Sequence, residues 1–346
     1  MIKIKLLFSV LMISVLMISC NNSTEPIKKE ADNGFDTKAA YEQASKFFAA
    51  LPSTAPNADN ELTADKILLG KILYFDNRLS KDETQSCNTC HDINTYGVDN
   101  EPTSKGDNGG LGSRNSPTTF NAALHISQFW DGRNADVEEQ AGGPILNPVE
   151  MAIPNEKFIL NRLKKIDEYK DLFAAAYPGE SAPFTYKNLT YAIGAYERTL
   201  LTPSAFDEYI VGDLTALSID AQKGMKEFID VGCTQCHAGA ILGGNMLMKF
   251  GLFANYWEHT QSAIIDSGKY VVTGAKSDMF VFKVPSLRNI EKTGPYFHDG
   301  SVKSLESAIQ IMAKTQNNKD LSIDQVKSIE IFLNTLTGEV PSSAKL

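Results

Sequence analysis

The sequence predicts an all-α protein whose chain is divided between two domains, and three observations lead there. A chain of 346 residues exceeds what one hydrophobic core usually serves. Apolar residues recur at helical spacing through much of its length. The pattern Cys-x-x-Cys-His occurs twice, as Cys87-Asn-Thr-Cys90-His91 and Cys233-Thr-Gln-Cys236-His237, and the two copies lie 146 residues apart, so each can own a domain.

The N-terminus belongs to neither domain. A short basic start with Lys3 and Lys5, an almost unbroken apolar run from Leu6 to Ile18, and then Ser19-Cys20 read as an export signal over residues 1–19, too short to span a membrane permanently. The small residue before Cys20 makes it a lipoprotein-type cleavage box, with Cys20 as the acylated first residue. Residues 20–40 are expected to be a flexible tether, because Asn21 to Phe35 is polar, charged and poor in aromatics. The formal charge of −9 becomes −11 once Lys3 and Lys5 leave. Such acidity excludes nucleic acid as a natural partner and suits one with a basic face.

The first domain is expected over residues 41–203. Asp65 to Phe75 reads as a helix, with Ile67, Leu68, Ile72 and Leu73 toward one side, and leads into the first Cys-x-x-Cys-His. Ser104 to Pro117 follows, carrying Gly106, Gly109, Gly110 and Gly112. No apolar strand precedes it, so it is not a phosphate-binding loop. Phe158, Ile159, Leu163, Ile166, Tyr169, Leu172 and Phe173 then recur at helical spacing, as do Leu189, Ile193, Tyr196 and Leu200.

The second domain is expected over 204–338. Ser218 caps a helix through Met225, Phe228 and Ile229 that ends at Gly232, just before the second motif. Val271, Val272 and Phe280 to Val284 read as short extended pieces. Ser322 and Gln325 form a capping box that opens a helix through Ile329, Phe332, Leu333 and Leu336, stopping at Gly338. Apart from the two motifs there is no repeat and no low-complexity tract.

Four of the five cysteines are consumed by the two motifs, which leaves none for a structural disulfide in an exported chain. Cys-x-x-Cys-His is the attachment pattern of a c-type haem: two thioethers pin the porphyrin edge and the histidine reaches the iron. A four-cysteine zinc site would need no histidine after each pair, and a redox dithiol would need neither histidine nor duplication. The reading is therefore two covalently bound haem c groups, each in a cytochrome c-like domain that opens with a helix and then the motif.

What closes each iron decides between electron storage and chemistry. Past Cys236, the methionines Met246, Met248, Met279 and Met312 are candidate sixth ligands, with His298 as the rival, and spacing does not choose among them. The first iron is followed by Phe129-Trp130-Asp131-Gly132-Arg133, Glu138-Glu139-Gln140 and Asn147-Pro-Val-Glu150, which gather an aromatic, an amide and several carboxylates. A carboxylate facing an iron can take a proton from one peroxide oxygen and return it to the other.

Together CNTCHD, GSRNSPTTFNAA, FWDGR, EEQAGGPILNPVEM, GCTQCH, FKVPSLRNI, KTGPYFHDGSVKSLESAIQIM and FLNTLTGE resemble the bacterial di-haem cytochrome c peroxidases, in order, from about Leu62 to Gly338. The resemblance implies a periplasmic or cell-envelope enzyme that reduces hydrogen peroxide to water. It implies an all-α pair of cytochrome c-like domains, with the tail 339–346 returning to the first. His91 would ligate the peroxidatic iron, with Gln140 and Glu150 on its distal side and Glu150 as acid and base. His237 and Met312 would ligate the second, electron-accepting iron, and Trp130 would lie between the haems. Asn115, Thr293 and the carbonyl of Pro295 would hold a calcium ion. The donor would be a small cytochrome c or copper protein, and the chain would form a homodimer, as family members commonly do. A related branch, which oxidises a protein substrate, carries tyrosine where this chain has Met312.

The glycine loop would be the lid over the first iron, its glycines acting as hinges. In many family members a histidine in this loop ligates the oxidised iron until the second haem is reduced; at that position this chain has Asp107. His125 and His259 are other histidines, each in a different motif context. The expectation is an iron left open in the oxidised enzyme, active without reductive activation. Two further readings stay open: an electron carrier with both irons closed and no use for Glu150, and an oxidase of a protein substrate.

Overall fold

The structure, a computed structural model, describes residues 34–346. The expected export segment, Cys20 and most of the expected tether lie outside these residues. The tether was expected to reach residue 40, but a helix, α1 (Thr37–Ala44), starts inside it. Asp36 caps it by accepting from the Ala39 N–H at 2.9 Å, and Ala40 and Ala44 are buried, so packing outweighs the polar composition.

Helices α2 (Ala64–Tyr74), α3 (Cys87–Cys90), α4 (Val137–Leu146), α5 (Glu156–Leu163), α6 (Asp167–Ala176) and α7 (Tyr186–Glu197) follow. The apolar run from Phe158 to Phe173 is two helices, broken at 164–166, and each buries its own pair: Ile159 with Leu163, and Tyr169 with Phe173. Then come α8 (Ala205–Ile210), α9 (Ile219–Val231), strand β1 (Leu247–Lys249), α10 (Tyr256–Thr260), α11 (Tyr270–Thr273), strand β2 (Val281–Lys283), α12 (Leu305–Asn317) and α13 (Ile323–Asn334). The two strands pair antiparallel, Met248 opposite Phe282, as the one sheet among the described residues. Val271 and Val272 are helical, not extended. Both are exposed, so no sheet face rewards their β-branching, and Gly274 closes the turn in a left-handed conformation.

Two large cores form. One gathers Leu69, Leu73, Ile159, Tyr169, Ile193 and Tyr196 around α2, α6 and α7. The other gathers Phe206, Met225, Phe228, Ile329 and Phe332 around α9, α12 and α13. Each is pinched at a helix crossing by a glycine. A Cβ on Gly70 would sit 1.7 Å from the Ala192 carbonyl oxygen, and one on Gly224 would sit 1.8 Å from that of Ser328, so neither crossing admits a side chain.

Segments near both ends of the described residues cross over between the cores. Ala44 and Phe48, which the sequence groups with residues 41–203, lie in the core of α9 and α13. At the far end Ala344 is buried in the core of α2 and α7, where its carbonyl accepts from the Tyr196 hydroxyl at 2.6 Å.

Candidate functional site

The second Cys-x-x-Cys-His opens into a cavity. Ser218 caps α9, and Gly232, at φ 98°, ends it in the left-handed conformation that turns Cys233, Cys236 and His237 inward. The cavity is lined almost wholly by apolar groups and includes Met312 on α12, Met248 on β1, and His298. Met246 and Met279 do not line it, so two of the four methionines remain as candidate ligands. His237 Nδ1 lies 3.0 Å from the Leu242 carbonyl, which can only accept, so that nitrogen carries the proton and Nε2 keeps its lone pair. That is the tautomer an iron ligand needs.

Two ring nitrogens beside this cavity are buried without a hydrogen-bond partner: Nε2 of His298 and Nε2 of His125. His298 stacks on Phe282 at 4.3 Å and meets the Trp130 ring edge-on at 6.3 Å. Orphaned polar atoms around an apolar space lined by two thiols and a lone-pair imidazole fit a large, flat, apolar group with polar edges. A haem is such a group.

Burial pushes all four motif thiols above the ordinary cysteine value, Cys90 to about 11, and none forms a disulfide. A redox-active pair has the opposite shift. The described residues contain no cluster of three or more histidine, cysteine or acidic side chains of the kind a zinc site needs.

Around the first motif, α3 holds Cys87 and Cys90, and the Tyr74 hydroxyl donates to the His91 carbonyl at 2.7 Å. His91 is half-buried, desolvation of its ring lowers its pKa, and its buried Nδ1 makes no hydrogen bond. Glu150 is half-buried. Its charge reaches the Cys90 thiol, and its Oε1 accepts from Asn147 Nδ2 at 2.8 Å. Burial raises the Glu150 carboxyl above the usual carboxylate value, while Arg133 and Asn147 pull it down. Gln140 lies half-buried on α4, the helix that leads to Asn147 and Glu150.

The glycine loop lies against Glu150. Asp107 N–H donates to the Glu150 carbonyl at 2.7 Å, and a Cβ on Gly106 would meet the Val149 carbonyl oxygen at 1.7 Å. Of the four glycines only Gly109 has a positive φ, 81°, so close approach more than hinging explains Gly106. The Asp107 carboxylate accepts from the Asp82 N–H at 2.7 Å and the Thr84 hydroxyl at 2.6 Å. Burial alone would raise its pKa, but these bonds hold it below the usual value. His125 lies instead at the second cavity, and His259 sits on α10.

Trp130 Nε1 donates to the Asn115 carbonyl at 2.9 Å. Asn115, Thr293 and Pro295 all line the second cavity, and the Asn115 amide Nδ2 is committed to the Glu101 carbonyl. These three supply oxygen donors of the kind calcium takes.

Two groups escape the sequence reading. Arg114, at the end of the glycine loop, grips Asp266 through Nε (2.6 Å) and Nη2 (3.0 Å) and Asp131 through Nη1 (2.5 Å), and Asp131 also takes Arg133 at 2.9 Å. Lys283, buried on β2, meets His125. Both link segments more than 150 residues apart, so no local pattern signals them.

Residues 64–215 match the family model described as di-haem cytochrome c peroxidase. The cytochrome c551 peroxidase of Pseudomonas aeruginosa is 42% identical over 308 residues, covering 88% of each chain. That of Nitrosomonas europaea is 41% identical over 304 residues, covering 88% of this chain and 89% of its own. Among solved structures, a MauG-like protein associated with microbial copper homeostasis superposes with a TM-score of 0.75 at 27% identity, covering 84% of this chain and 95% of its own.

Proposed function

The chain belongs to the di-haem cytochrome c peroxidase family, and we propose that it reduces hydrogen peroxide to two waters, taking two protons and two electrons, the electrons from a small redox protein. The observation that carries the proposal is the half-buried Glu150 carboxyl, held by Asn147 and overlaid by the glycine loop.

Haem c groups on the two motifs would supply the redox chemistry that peroxide reduction needs. Within that frame, His91 would hold the first haem, and Glu150 would take the peroxide proton at its free oxygen while Asn147 holds the other. Gln140 completes the distal side. His237, through Nε2, and Met312 would hold the second haem, and Trp130, which lines the same cavity, would offer electrons a path toward the first site. Calcium at Asn115, Thr293 and the Pro295 carbonyl would fix the ground between the two haem sites. The two cores then correspond to two cytochrome c-like domains, the peroxidatic one closed by the C-terminal tail.

With its carboxylate committed to Asp82 and Thr84, Asp107 would leave the first iron without a ligand from the glycine loop, open to peroxide in the oxidised enzyme. We place the protein in the periplasm or cell envelope, anchored through an acylated Cys20, with a basic cytochrome c or copper protein as donor and a homodimer as its working form. No helix among the described residues is long and apolar enough to cross a membrane.

The test is stoichiometry. Reduced donor and peroxide are mixed with the two-haem protein, and donor oxidation and dioxygen are followed together. Two donor electrons per peroxide and no dioxygen are expected. An electron carrier alone would leave the peroxide intact, and that outcome would overturn the reading.

A further inference from the structure

Lys283 is a buried amine with no anion beside it. It lies on β2, is 6% exposed, and lines the second cavity. Its Nζ donates to the Ser127 carbonyl at 2.8 Å and lies 3.0 Å from His125 Nδ1. No carboxylate is within ion-pair distance among the described residues. Asp131, the acid whose charge reaches Lys283, is already held by Arg114 and Arg133. Burial drives Lys283 down to about 7, against only a small pull from Asp131. A charge left this way is costly, and buried ammonium groups are normally paired.

The hydrogen bond fixes the state of His125. In its charged form Lys283 can only donate, so Nδ1 then accepts and the neutral ring keeps its proton on Nε2. That N–H is buried and has no acceptor. Gly244 presses on the other face of the ring, where a Cβ would come within 2.8 Å of Cδ2, so the imidazole has little freedom to turn elsewhere. Lys283 therefore sits on the Nδ1 side of the ring, away from the orphaned Nε2–H, and in a cavity lined mostly by apolar groups its ammonium lacks an anionic oxygen acceptor.

We propose that Lys283, held in place by His125, is a carboxylate-binding group that takes a propionate side chain of the haem held by Cys233, Cys236 and His237. The proposal rests on the reading that this motif carries a haem. The ammonium does two things for the bound group. It neutralises a carboxylate in an apolar setting, and it places positive charge beside the iron, which favours the reduced, less positive state. The other charged or titratable groups around it are Asp131, tied up by two arginines, and the rings of His237 and His298. None supplies a second free cation at this edge.

The experiment uses the two-haem protein and reads the count of covalently bound haem per chain and the reduction potential of each haem. Lys283→Met is expected to lower the potential of the second haem and leave the first unchanged, and Lys283→Arg to keep the wild-type value. His125→Leu is expected to shift the second potential the same way by less, and it decides the matter if Lys283→Met does not accumulate with two haems. Two haems bound with the second potential unmoved in the variant that accumulates would overturn the proposal. A wild-type chain with no haem on the second motif would instead overturn the parent reading, so the two failures are distinguishable.

Discussion

Thr84 Oγ1 donates a 2.6 Å hydrogen bond to Asp107 Oδ1, while the backbone N–H of the same Asp107 donates to the Glu150 carbonyl at 2.7 Å. One residue thus ties the glycine loop both to the segment just before α3 and to the segment that carries the expected acid and base. Fully oxidised enzyme and pre-reduced enzyme should therefore give equal initial rates of peroxide turnover when mixed with donor. Asp107→His should introduce a lag that pre-reduction abolishes. A lag already present in the wild type would mean that another group closes the iron.

Glu150→Gln removes the proton acceptor and keeps the shape. Turnover is expected to fall by roughly 10²- to 10⁴-fold, with both reduction potentials unchanged. Because burial raises the carboxyl above its ordinary value, the wild-type rate should decline on the acid side at a higher pH than a solvent-exposed glutamate would give. A pH–rate profile of kcat/KM checks this, and its acid limb should vanish in the variant.

Gly106→Ala should damage catalysis more than stability. Its Cβ would overlap the Val149 carbonyl oxygen, a backbone atom, so the loop or the Val149–Glu150 segment must move. We expect kcat/KM for peroxide to drop at least tenfold while the thermal midpoint changes little. Equal losses in both would show that the loop is part of the core.

Glu197, on α7, is buried beside Glu138, and desolvation followed by repulsion from Glu138 raises it to about 8. The unfolded chain releases that proton near 4.5 and the folded chain near 8, so the folded state holds the extra proton between. Its contribution is full below about 4.5 and is lost as pH rises through 8. Thermal midpoints across that window should fall with pH, and Glu197→Gln should flatten the slope.

Met312→Leu should remove the methionine-to-iron absorption of the second haem, and Met248→Leu should leave it. Both methionines line the same cavity, so the comparison reads the ligand directly.

What the sequence reveals follows from how local each signal is. The caps at Ser218 and at Ser322 with Gln325 involve residues three apart, and the structure forms both, with the Gln325 N–H donating to Ser322 Oγ at 3.2 Å. The attachment motifs are equally local. Val271 and Val272 mislead because β-propensity expresses packing on a sheet face, and here there is none to pack on. The helix at 37–40 was obscured by its polar composition, since the burial that fixes Ala40 comes from helix α9, far along the chain. Lys283 and His125 are 158 residues apart, and Arg114 and Asp266 are 152 apart. Nothing in either neighbourhood marks them as partners before the fold brings them together.

The exchange of chain ends between the two cores bears on the order in which the molecule can be completed. The core of α2 and α7 is translated first, yet Ala344, which occupies it, emerges almost last. The core of α9 and α13 is translated later, yet it needs Ala44 and Phe48 from the beginning. A chain crossing a membrane from its N-terminus would thus hold an unfinished first half until the whole length has arrived. Cutting the protein between residues 203 and 204 would leave each half missing a piece carried by the other, so the halves should fold together or not at all.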